Sequence, residues 1–146
     1  MARHRRISST LNPWKIIPCL AACICAPTFG RAESATAPSG IKTQLTLHSR
    51  FDSQCRSIRT EIRILAPPAN GTVTSEPKNY AIPAQNRLGE KQPQQCVGKI
   101  VEGVAVFYQS QPGFAGSDSV RYRRFNPNDA NDRYNMEISY AITVLR

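Results

Sequence analysis

The chain has no apolar run long enough to cross a bilayer. Its longest, Ile16–Ala26, is about 11 residues and contains Pro18, against the roughly 20 residues a spanning helix needs. Histidine and tryptophan are scarce: His4, His48 and Trp14 are all there are. A Ser-His or Cys-His catalytic pair therefore has one candidate base in the body of the chain, His48. A zinc site would have the same single imidazole to draw on. No Gly-rich phosphate loop, zinc-ligand spacing or internal repeat is present. The ten acidic residues are scattered, with no pair at strand spacing suited to acid–base work. These absences argue against an enzyme, a cofactor or a metal centre. Helical periodicity is also missing beyond the N-terminal region, which excludes bundles and α/β layers.

What is present begins with an address. Arg3, Arg5, Arg6 and Lys15 precede the apolar run, and Gly30-Arg31-Ala32 supplies small residues at the positions a signal peptidase reads. Residues 1–32 have the pattern of a cleaved secretory signal peptide. Leu20-Ala21-Ala22-Cys23 resembles a lipobox, which leaves Cys23 as an alternative lipidation site and a lipid-anchored protein as the alternative to a periplasmic or secreted one. Cleavage after Ala32 removes five of the 19 basic residues and none of the ten acids, so the net charge falls from +9 to 14 − 10 = +4. The high pI is in part a property of the signal and is weak evidence for a nucleic-acid partner. Cleavage also leaves two cysteines, Cys55 and Cys96. An even pair in an exported domain reads as a disulfide. The closed loop of about 42 residues is worth about 4 kcal/mol in the chain-entropy treatment.

Residues 33–40 are small and polar and read as a flexible lead-in. Strand patterns follow over 41–51, 56–65, 71–75, 99–101, 104–108, 117–125 and 134–145. In the first, Ile41, Leu45 and Leu47 share a face and His48 falls on the outward one. In the second, Ile58, Thr60, Ile62 and Ile64 alternate with Arg59, Glu61 and Arg63. In the last, Met136, Ile138, Tyr140, Ile142 and Val144 share a face. About seven short strands at this spacing predict an all-β antiparallel sandwich over residues 41–146. Residues 76–95, with three prolines and many amides, read as a long irregular loop holding at most a brief edge strand at Tyr80-Ala-Ile82.

Four groups of residues are candidates for a role. Gly113, Gly116 and Asp118 fix a tight turn, with the Asp118 carboxylate accepting backbone N–H groups. Arg59 and Arg63 on one strand and Arg121 and Arg123 on another would project from one face and suit an anionic envelope polymer or an acidic envelope protein. Tyr80, Ile82 and Leu88 would be apolar anchors on the 76–95 loop, for a partner or a protease cleft. The oxygen-rich segment from Asn126 to Asp132 reads as a connecting turn; it lacks the ordered loop and glycine of an EF-hand, and calcium is the lesser alternative.

The residues Pro68-Ala-Asn-Gly71-Thr-Val, Tyr108-Gln-Ser-Gln-Pro112-Gly113-Phe114-Ala-Gly116-Ser-Asp118-Ser-Val120-Arg-Tyr122 and Tyr140-Ala-Ile-Thr-Val144 together resemble the bacterial immunoglobulin-like and cadherin-like domains, here in a single copy. The resemblance covers roughly residues 60–146. It implies an immunoglobulin-like sandwich in an extracytoplasmic setting and supplies no catalytic residues. The expectation is an exported, non-enzymatic binding or structural module of the cell envelope, in contact with the membrane only if Cys23 is lipidated. The alternative is a small secreted inhibitor acting through residues 76–95.

Overall fold

The computed structural model describes residues 31–146; the Cys23 site and all but the last two residues of the expected signal lie outside them. Seven strands, β1 (Arg31–Pro38), β2 (Thr43–Ser49), β3 (Glu61–Ala66), β4 (Gly71–Ala81), β5 (Ile100–Ser110), β6 (Gly116–Phe125) and β7 (Met136–Leu145), and one short 3₁₀ turn at Gln94–Cys96 make up the regular structure. They form a four-stranded sheet in the order β1-β7-β6-β3 and a three-stranded sheet in the order β2-β5-β4. The protein is an all-β sandwich.

Period-2 alternation builds the main core. Ile138, Tyr140, Ile142 and Val144 of β7, Val120 and Tyr122 of β6, and Val106 and Tyr108 of β5 are buried between the sheets. In β6 and β7 the alternate neighbours Arg121, Arg123, Ala141, Thr143 and Leu145 are exposed, as expected for a sheet wet on one side, whereas in β5 the alternate residue Ala105 is buried as well. A smaller cluster forms around Cys55, Cys96, Ile82 and Val101, with Phe51 and Tyr80 against it. Cys55 and Cys96 are disulfide-bonded, and the bond anchors this satellite core.

Several elements depart from the sequence reading. Residues 33–38 are not a flexible lead-in. They belong to β1, which pairs in parallel with β7 from Arg31↔Ile138 to Pro38↔Leu145. The small side chains that suggested mobility are what this edge requires, since Ala35 and Ala37 pack against the main core. The parallel pair also means the sandwich is not antiparallel throughout. In β2 a register shift between Gln44 and Thr46 acts as a bulge. It turns Leu45 toward the core and then Thr46 and His48 as well, so His48 is buried rather than outward.

The strand expected over residues 56–65 is only β3 from Glu61. Before it, Ser57 makes an isolated bridge to Phe51, and Ile64 is exposed at the sheet's edge. Residues 76–79 are strand rather than loop and join the brief edge strand expected at Tyr80 to the one leaving Gly71, because β4 is an edge strand and tolerates Pro77 there. The two short strands over 99–108 are one continuous β5 through Gly103. A Cβ at Gly103 would lie 2.7 Å from the His48 carbonyl oxygen and 3.0 Å from Ser49 Cβ, so the strand needs glycine where β2 crosses it closely.

Candidate functional site

At one end the sandwich does not close. The main core stops at Tyr140, Ile138 and His48, the satellite core at Phe51 and Tyr80, and a cleft of about 730 Å³ lies between them. β2 and the turn after it form one wall, and the beginnings of β1 and β7 with the end of β6 form the other. Pro83, Arg87 and Leu88 stand over the opening. Five arginines line this cleft, Arg31, Arg50, Arg87, Arg124 and Arg133, against the two acids Glu33 and Asp52.

His48 forms the floor where cleft meets core. Its Nε2 lies 2.9 Å from the Tyr122 hydroxyl, and Arg124 Nη1 approaches its Nδ1 at 3.4 Å. A guanidinium only donates, so Nδ1 accepts and the ring proton sits on Nε2, donated to Tyr122. Burial first, and then the charges of Arg124, Arg87 and Arg31, push the His48 pKa down to about 3. The imidazole is therefore neutral near pH 7, with both nitrogens engaged. Tyr122 meets the imidazole edge-on, with centroids 5.8 Å apart, and stacks on Tyr140 at 6.2 Å.

Arg124 follows Val120 and Tyr122 at the next inward-facing position of β6. It donates from Nε and Nη2 to the Tyr134 carbonyl at 3.2 and 3.1 Å. Burial, and next the charge of Arg50, pull its pKa below the ordinary arginine value; it is still a cation at neutral pH. Arg50 is ion-paired with Asp132 and lies 4.1 Å from the Tyr134 ring centroid. The Arg50 hydrogen bond, with donors from Tyr134 N–H and Asn126, holds the Asp132 carboxyl down at about 2. Arg31 pairs with Glu33, and Asp52 is taken by Arg56. Arg87 donates to Thr46 Oγ1 at 3.0 Å. Arg133 lies 4.9 Å from the Tyr134 ring centroid and donates to its hydroxyl. Among the described residues Arg87, Arg124 and Arg133 have no carboxylate partner.

The residues singled out in the sequence fall elsewhere. Asp118 accepts from Ala69 N–H at 2.9 Å, Asn70 N–H at 3.0 Å, Ser119 N–H at 2.8 Å and the Tyr108 hydroxyl at 3.0 Å. It ties the β3–β4 turn to β6 and one sheet to the other. Burial raises its pKa, but these hydrogen bonds outweigh burial and leave it below the usual carboxylate value. Gly113 and Gly116 sit at φ values of 81° and 139°, in the region that favours glycine.

Three of the four arginines expected on one face do share it, and Arg59 does not join them. Arg63 stands opposite Arg123, and Arg121 lies farther along the same face of β6. Arg59 precedes β3 and pairs with Glu61. The Tyr80, Ile82 and Leu88 trio is divided. Ile82 is buried and Tyr80 half-buried against the disulfide, so neither is a free anchor, while Leu88 is 70% exposed. Its loop is braced by Asn86 Oδ1, which accepts from Leu88 and Glu90 N–H. In the Asn126–Asp132 segment the side-chain oxygens cap its own turns and hold Arg50. No group of three or more His, Cys, Asp or Glu suited to a metal occurs among the described residues.

The cleft has no contiguous signature in the sequence. One signal was legible: Arg124 continues the inward alternation of Val120 and Tyr122, and an arginine on the core face of a strand is unusual enough to mark a site. The inward turn of His48 depends on the bulge and left no such mark. No family profile, curated protein or solved structure matches this chain.

Proposed function

We propose that this protein is an exported, non-enzymatic binding module of the bacterial cell envelope. It is a single sandwich of the immunoglobulin-like or cadherin-like kind that takes its ligand in the cleft between its sheets. The observation that carries this reading is the composition of the cleft. A sandwich end is ordinarily sealed by apolar side chains, whereas here arginines line about 730 Å³ of open space. Arg124 is half-buried without a carboxylate partner; such a charge costs stability, and a ligand that engages it offsets that cost. The volume lies within the range of about 300–1,000 Å³ common to small-molecule sites. The geometry offers little to catalysis, because both His48 nitrogens are engaged and its pKa is too low for a base near neutral pH. The disulfide accords with an oxidising compartment, and the signal-like N-terminus supports export.

The test is site-specific photo-crosslinking in bacteria expressing the full chain. A crosslinker at Leu88, over the opening, is expected to capture ligand in the envelope fraction. One at Ser117, on the outer face of β6, is expected to capture none. Retention of the chain in the cytoplasm, or equal capture from both positions, contradicts the proposal.

The inhibitor reading has one observation on its side, the exposure of Leu88 on a braced loop. It requires that Leu88→Asp abolish inhibition of a protease while the cleft arginines are dispensable.

A further inference from the structure

We infer that the ligand of the cleft is a small organic anion, a carboxylate or phosphate head joined to an apolar, ring-shaped body. The inference rests on the reading of the cleft as a binding site and names the chemistry that site selects.

The head group follows from the charge imbalance. Arg87, Arg124 and Arg133 line the cleft without a carboxylate partner among the described residues, while the cleft's acids are committed to Arg31 and Arg56. Arg124 directs three N–H groups to the Tyr134 carbonyl and His48. Two of the five N–H donors of a guanidinium are left without a protein partner. His48 holds this arginine from beneath as a neutral acceptor, so it positions the cation without adding charge. A planar fork fixed from behind is suited to a carboxylate or phosphate. Arg31 is not needed: if the exported chain begins at Glu33, Arg124, Arg87 and Arg133 remain.

The body follows from the rest of the lining. Phe51, Tyr140, Ile138 and Met136 present apolar surface beside the arginines. Tyr134, whose ring carries Arg50 and Arg133, stands among the lining residues beside them. A bare inorganic anion would leave most of about 730 Å³ to water. A ring of the size of naphthalene would cover the apolar wall while its head met the guanidinium groups.

The inference is tested by isothermal titration of the exported, oxidised protein with 1-naphthoate, 1-naphthyl phosphate, the uncharged 1-naphthamide, acetate and inorganic phosphate. At least one charged naphthyl probe is expected to bind tenfold or more tightly than naphthamide, and tenfold or more tightly than its own head group alone. The tighter of the two identifies the head as carboxylate or phosphate. Arg124→Gln is expected to weaken that probe tenfold. Arg87→Gln and Arg133→Gln, at more exposed positions, are expected to weaken it at least threefold with an unchanged near-ultraviolet circular dichroism spectrum. They keep the test decisive if Arg124→Gln fails to fold. Equal binding of naphthamide overturns the anionic head and leaves the cleft a binding site. Equal binding of acetate or inorganic phosphate overturns the ring-shaped body. No binding by any probe, with Leu88 crosslinks also absent, overturns the inference and the proposed function together.

Discussion

Replacing Asp118 by alanine should cost about 3 kcal/mol of folding stability. The carboxylate accepts four hydrogen bonds, three from backbone N–H groups and one from the Tyr108 hydroxyl. A hydrogen bond to a charged group is worth about 1.5–3 kcal/mol when its donor cannot reach water. The donors of Ala69 and Ser119 belong to exposed residues and regain solvent in the variant, so they contribute little. Tyr108 is fully buried as a residue, and Asn70 is half-buried. These two dominate the loss. In a domain of this size, about 3 kcal/mol corresponds to a fall in Tm of roughly 10 °C. Tyr108→Phe removes one of the bonds and should cost about 1 kcal/mol. The double variant should lose less than the sum of the two, because the residues share an interaction. Urea unfolding of the four proteins measures all three quantities. A cost below about 0.5 kcal/mol for Asp118→Ala, or strict additivity with Tyr108→Phe, would refute the view that this carboxylate ties the sheets together.

Three further outcomes follow from the same structure. Cys55→Ser with Cys96→Ser should lower stability by about 4 kcal/mol, measured by denaturant unfolding, and should loosen Tyr80 and Ile82 before the main core. Gly103→Ala should cost about 1–3 kcal/mol, because its methyl group meets the His48 carbonyl oxygen at 2.7 Å; an unchanged Tm would contradict the close approach of β2 and β5. The His48 pKa falls from 6.5 to about 3 on folding, so between those values the unfolded chain binds the extra proton and stability rises with pH. The contribution is complete above 6.5 and is lost on acidification at roughly 1 kcal/mol per pH unit, a slope that His48→Gln should remove between pH 6.5 and 4.5.

The parts of this fold that were legible in sequence are those with strict alternation and branched or aromatic side chains. Val120 and Tyr122, and Ile138 to Val144, announce both their strands and their inward faces. β1 was hidden because Ala35 and Ala37 carry little hydrophobic signal, and their burial comes from pairing with β7 across about a hundred residues of sequence. The face of β2 was misread because the bulge near Leu45 changes the parity of every residue after it. The cleft was the least legible feature. It is assembled from β1, β2, β6, β7 and the loop over residues 83–93, and no two of its unpaired arginines belong to one strand. The arginines that do alternate visibly, Arg121 and Arg123, lie on the opposite face of β6 from Arg124, in solvent. Charge patterning along a strand reports an exposed face well and a cavity poorly.

Where a ligand sits is tested most directly by titrating the ¹⁵N-labelled, oxidised protein with whichever of 1-naphthoate and 1-naphthyl phosphate binds more tightly, followed by backbone amide and arginine side-chain resonances. The account predicts saturable shifts at His48, Arg50, Leu88, Arg124 and Tyr134, with Arg63, Arg121 and Arg123 unmoved. Shifts centred on Arg63 and Arg123, or none at the cleft at saturating probe, would contradict it.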